Sequence, residues 1–108
     1  MSEEIGDLTL GGNIVLSGFS VVDSGSMVIV KKIVGTYAKK LSEAHTDFEQ
    51  LKIHVKPVHK AGEGPAKKFE IHAHVSIGGK VHVAEVTDNN LFMVLDKAIK
   101  KVDAMLGD

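Results

Sequence analysis

The chain contains no cysteine, so neither a disulfide framework nor thiol chemistry is open to it. That absence fits a reducing, cytoplasmic compartment. Arginine is missing as well: all 13 basic residues are lysine. Any phosphate contact would then be made by point charges, without the bidentate fork of a guanidinium. No apolar run is long enough to span a bilayer, and the acidic start with Glu3 and Glu4 lacks the positive region of a signal peptide. No membrane association is expected. There is no internal repeat and no low-complexity tract. There is also no Ser-His-Asp elbow, no Walker-type glycine loop and no HExxH, and the carboxylates are scattered. The expectation is a protein without catalytic residues, cofactor or small-molecule substrate.

What is present describes one ordinary globular domain. The 108 residues suffice for one compact core and not two. Hydrophobic residues at 44% and charged residues at 25% match a soluble protein. A net charge of −1 rules out a polycation that binds nucleic acid by bulk charge alone.

Residues 1–13, with Gly6, Gly11 and Gly12, read as a mobile N-terminal lead, in which Leu8, Thr9 and Leu10 suit a brief edge strand. Residues 14–108 form the domain. A first strand is expected over 14–19 and a first helix over 26–43, with Asp23, Ser24 or Ser26 as N-cap. Val30, Ile33, Val34, Tyr37, Ala38 and Leu41 recur at the spacing of one buried helical stripe. Gly35 interrupts that helix, which suggests a second backbone packed close to it. Residues 51–57 alternate as a half-buried strand that Pro57 ends or confines to an edge. Residues 59–68 read as a loop, and 69–77 and 81–86 as two further strands. Between those two, a two-residue Gly78-Gly79 turn would aim Lys80 and His82 at the core. A three-residue turn through Lys80 pairs Ile77 with Val81 and Val75 with Val83, and is the expected register, although it points Glu85 inward unless a bulge intervenes. The last helix carries Leu91, Leu95, Ala98, Ile99, Val102 and Leu106 on one stripe.

The order β-α-β-β-β-α predicts an α+β fold: a four-stranded mixed sheet with both helices on one face and water on the other. Two side-chain sets could carry function. Lys32 and Lys39 lie opposite the first stripe, with Lys31 and Lys40 flanking it, while Lys97, Lys100 and Lys101 lie opposite the second. They read either as solvated outer faces or as two basic ridges that track phosphates. Histidines form the other set. In the expected register His74 and His82 are diagonal neighbours on the open face, with His72 beside them. These three are the candidate metal ligands, but nothing more compact than His72-x-His74 is seen, so no metal is expected. Their protonation in mild acid would make that face basic.

The stretch from Phe69 to Leu106 resembles the end of the ribosome hibernation-promoting factors, the family also called protein Y or sigma-54 modulation proteins. There a strand ending near Ala-Glu leads into an Asp-Met-Tyr-Ala-Ala-Ile-Asp-like helix start. Here Ala84-Glu85 is followed by Asn90-Leu91-Phe92-Met93-Val94-Leu95-Asp96. Lys39-Lys40-Leu41 matches the family's Lys-Lys-Leu, and Lys101 a lysine common in its second helix. Lys97 and Lys100 rest on their helix face alone. Phe19 stands where a polar or basic residue is usual, and thirteen residues precede a strand that usually comes almost first.

The resemblance implies a cytoplasmic, stress-linked regulator of translation that binds the small ribosomal subunit. It would contact ribosomal RNA through Lys32, Lys39, Lys40, Lys97, Lys100 and Lys101. Without the C-terminal dimerisation domain of long members, it resembles the short form. The alternatives are a general RNA- or protein-binding module on the same fold, or a histidine-rich metal-binding protein. Double-stranded-RNA-binding domains share the architecture less its first strand. They carry a lysine run where this chain has Asp88-Asn89-Asn90-Leu91-Phe92, which has no positive charge.

Overall fold

The computed structural model describes residues 8–10, 13–58 and 68–106. The expected lead and loop lie outside these residues, apart from 8–10, 13 and 68. A short edge strand β1 (Leu8–Leu10) pairs antiparallel with β2 (Ile14–Ser17). A 3-10 turn (Phe19–Val21) follows, then α1 (Ser24–Ala44), β3 (Phe48–Val58), β4 (Lys68–Ile77), β5 (Lys80–Asp88) and α2 (Leu91–Met105). The β-α-β-β-β-α order stands, with β1 added as a fifth strand. The sheet runs β1-β2-β3-β4-β5, with β2 parallel to β3 and the other neighbours antiparallel. No helix among the described residues is long and apolar enough to cross a membrane.

Alternation along the strands decides where the core lies. Leu16, Ile53, Ala73 and Ala84 form one row across β2 to β5, and all four are buried. Ile14, Leu51 and Val75 form the next row, and Val55 and Ile71 a third. Both helices place their stripes in this same cluster, so both lie on one face. Val30, Val34, Tyr37, Ala38 and Leu41 are buried on α1; Val94, Leu95, Ala98, Ile99 and Val102 are buried on α2. Val94 is a core residue that the expected stripe omitted, while Leu91 and Leu106 sit half-buried at its ends.

Local chemistry sets the boundaries. Asp23 caps α1 by accepting from Ser26 N at 2.9 Å. This hydrogen bond to the backbone amide holds the exposed Asp23 carboxyl below its usual range. Asn90 caps α2, accepting from Phe92 N at 3.0 Å and Met93 N at 3.1 Å. The first expected strand ends early because Gly18 adopts φ 80° and the chain turns there to bury Phe19. A Cβ on Gly18 would meet the Val55 carbonyl oxygen at 2.3 Å. Pro57 falls beyond the last β2–β3 pair, Ser17 with His54, where β2 no longer requires a ladder donor.

Two expectations are overturned. Gly78 and Gly79 both have positive φ, 56° and 81°, and form a two-residue turn that sets Ile77 opposite Lys80 and Val75 opposite His82. Paired left-handed glycines match the twist of a tight hairpin, so the turn needs no third residue. Lys80 and His82 therefore share the helix-side face, while Val81, Val83 and Glu85 share the open one. No bulge interrupts this pairing. The cost of placing Lys80 on the core side is avoided because it lies at the sheet corner, exposed. Second, nothing approaches Gly35: a Cβ there would have no neighbour within 4 Å.

The two glycines should respond oppositely. Gly35→Ala should stabilise the protein by about 0.5–1 kcal/mol, since it removes unfolded-chain freedom at no steric cost. Gly18→Ala should destabilise it by more than ~1 kcal/mol, from positive φ and the carbonyl clash. Urea denaturation of both variants checks this. Ile99→Ala and Val102→Ala should each cost about 1–4 kcal/mol by leaving cavities in the central seam.

Candidate functional site

All six lysines expected to face a partner are exposed: Lys32, Lys39 and Lys40 on α1, and Lys97, Lys100 and Lys101 on α2; Lys31 of α1 is exposed as well. The helices hold them differently. In α2, Lys97 Nζ donates to Asp88 Oδ2 at 2.6 Å. Lys100 pairs with Asp96 at 3.0 Å across one helical turn. Lys101 Nζ donates to the Glu85 backbone carbonyl at 3.2 Å, covering a polar group on the edge strand β5. The Lys97 contact holds the Asp88 carboxyl below its usual range. Each α2 lysine thus has a local partner, and Asp103 adds a further negative charge to the helix.

In α1 the four lysines face a single carboxylate within the helix, Glu43. None of the four makes an ion pair with another described residue. They sit as two pairs, 31–32 and 39–40, about two turns apart along a rigid helix, or ~12 Å at 1.5 Å per residue. A positive excess therefore concentrates on α1, in a molecule whose total charge is slightly negative.

Tyr37 links the two helices. It is buried, and its hydroxyl donates to Asp103 Oδ1 at 2.9 Å. Burial, then the hydrogen bond and the charge of Asp103, push the phenol well above its usual pKa. A cavity of 170 Å³ adjoins this pair, lined by Tyr37, Lys40, Leu41, Ala44, His45 and Asp103. A phenol held protonated is no base or nucleophile at neutral pH, so the contact reads as a strut that fixes the spacing of the helices.

The open face differs from its expected layout. His82 is not on it, because the two-residue turn moves His82 to the helix side. The trio His72, His74 and His82 is therefore not assembled. His54 is the histidine that neighbours His72 instead: it stands directly across from it, with ring centroids 6.1 Å apart at 66°, and its Nδ1 lies 3.2 Å from Ser17 Oγ. His72 Nε2 lies 2.7 Å from Glu70 Oε2, and Nδ1 lies 3.8 Å from Glu85 Oε2. Burial, chiefly, and then the neighbouring His72, Lys52 and His54 push His74 below the usual histidine pKa, with Glu85 opposing. His74 thus resists the acid-driven charging expected of this face. Glu70-x-His72 was visible in the sequence as same-face strand neighbours. Glu85 was not, because its side depended on the turn.

No protein-family model matches the chain, and no curated protein matches it.

Tyr37→Phe should cost about 0.5–1.5 kcal/mol, the usual worth of one hydrogen bond. Its pH dependence has a definite sign. The phenol pKa is raised on folding, so its stabilisation is complete below the unfolded value near ~10 and declines as pH rises beyond it. Wild type should lose more stability than Tyr37→Phe between about pH 9.5 and 11, as read by denaturant midpoints.

Proposed function

We propose that this protein is a ribosome-associated hibernation or translation-silencing factor. It binds the small ribosomal subunit in the cytoplasm with its helix-covered side towards ribosomal RNA. The observation that carries the reading is the charge asymmetry of that side: an acidic protein concentrates on one helix four lysines that pair with no other described residue. The element order and the resemblance of residues 69–106 support the same reading. It is a binding role and requires no reacting group.

The α1 lysines, Lys32, Lys39 and Lys40 with Lys31, form the centre of this interface. Lys97, Lys100 and Lys101 border it and contribute less. Each must first exchange a contact within the chain, although exposed ion pairs are worth little and exchange readily. Lysine contacts to phosphates release condensed counterions, so binding weakens as salt rises.

Binding of small subunits at two salt concentrations tests this. Lys32/Lys39/Lys40→Ala should weaken binding strongly and flatten the log–log salt dependence by roughly 0.7–0.9 per lost contact, by analogy with nucleic-acid duplexes and single strands. Stability should change little, since these side chains are exposed. Lys52/Lys56→Ala, on the sheet side, should bind almost as wild type. Loss of binding in the sheet variant alone would assign the partner to the open face. No loss in either would leave the fold without this function.

A further inference from the structure

We propose that Glu70, His72 and Glu85 form a binding site for one divalent transition-metal ion of the zinc class. The sequence shows no compact ligand spacing here. The sheet creates one, by setting Glu85 of β5 directly across from His72 of β4, with Glu70 two residues away on the same face. One ligand atom from each of the three residues lies within 4.8 Å of the others. In a tetrahedral zinc site, ligand atoms about 2.0–2.2 Å from the ion lie roughly 3.4 Å apart. The 2.7 Å between His72 Nε2 and Glu70 Oε2 is shorter than that spacing, and the outer limit of the cluster is longer. One ion can take only one imidazole nitrogen; with the ion at Nε2 beside Glu70, the exposed Glu85 carboxylate, now nearer Nδ1, swings round the ring edge to reach it.

The setting favours an ion over a simple ion pair. Neither carboxylate is paired with a described lysine, although Lys56 stands directly across from Glu70. Lys101 reaches Glu85 only at its backbone carbonyl. Two carboxylates thus converge on one imidazole and leave an excess of negative charge at its two nitrogens. The backbone beneath is rigid, because β4 is paired on both sides by β3 and β5. Such support fixes ligand directions better than a loop does. The His72 side chain is 27% exposed and Glu70 28%, while Glu85 is 62% exposed and free to swing. His54 packs against the His72 ring and limits its rotation. Water completes the coordination.

One imidazole with two carboxylates selects zinc or a similar borderline ion; magnesium prefers an all-oxygen octahedron with several waters. The site lies on the sheet face away from α1, so it stands or falls independently of the proposed ribosome contact.

Isothermal titration of the full chain with zinc chloride tests the proposal, with magnesium chloride as the comparison ion. One zinc per chain should bind saturably, and excess magnesium should not displace it. His72→Ala should weaken binding ~10-fold or more, as even loss of a supporting residue does at metal sites. Glu85→Gln, which keeps the shape of an exposed side chain, should also weaken it. His82→Ala, on the other face, should leave it unchanged. No saturable zinc binding would overturn the proposal. So would undiminished binding by both Glu85→Gln and a folded His72→Ala, which would place the ion elsewhere.

Discussion

Everything in this fold follows from one constraint: the buried side chains of four strands all project from the same face of the sheet. Leu16, Ile53, Ala73 and Ala84 make a continuous apolar row, and the rows on either side repeat the pattern. An apolar face of this width must be covered. Each helix has one stripe to cover it with, so both helices lie side by side on it. The reverse face meets water and collects lysines, histidines and glutamates. Two surfaces of different chemistry result: a helical side with exposed lysines, and a strand side where imidazoles and carboxylates meet. The Tyr37–Asp103 hydrogen bond then ties the helices to each other, independently of the sheet.

Charge is distributed by local pairing and not by composition. The two helices carry similar numbers of lysines, yet they differ as electrostatic surfaces. On α2, Asp88, Asp96 and the Glu85 carbonyl occupy the three ammonium groups, and Asp103 is engaged by Tyr37. On α1 only Glu43 opposes four lysines. A molecule with an acidic pI can therefore present a basic helix. Partner binding through α1 would be weak in bulk charge but directed in space, which suits a defined phosphate track better than free polyanions.

Most of the fold was legible because it rests on periodicity. The α1 stripe, the alternation of β3 and β4, and the Asp23 cap, one of three candidates, are written in short-range spacing. The errors came where one local choice has long-range consequences. A one-residue difference in the Gly78-Gly79 turn moves every side chain of β5 to the other face. That alone sent Glu85 outward and His82 to the helix side, and so rearranged the histidine face. Val94 was missed because α2 packs against β4 and β5 over a wider arc than a single narrow stripe. Gly35 suggests a close approach in the sequence and is an open position in the fold, since spacing along one helix does not show what packs against it. The lysine positions were legible as exposed, but their pairing was not. Asp88 and Lys97 are nine residues apart, and a salt bridge across a strand–helix corner leaves no periodic signal.

The central claim is that this protein engages the small ribosomal subunit through charge on its helical side. Sucrose-gradient sedimentation of ribosomes from stationary-phase cells, probed for this protein, tests it most directly. The account predicts that the protein travels with fractions containing the small subunit at low salt and returns to the top of the gradient as salt is raised. A protein that stays at the top of the gradient at low salt, with idle ribosomes abundant, would contradict it.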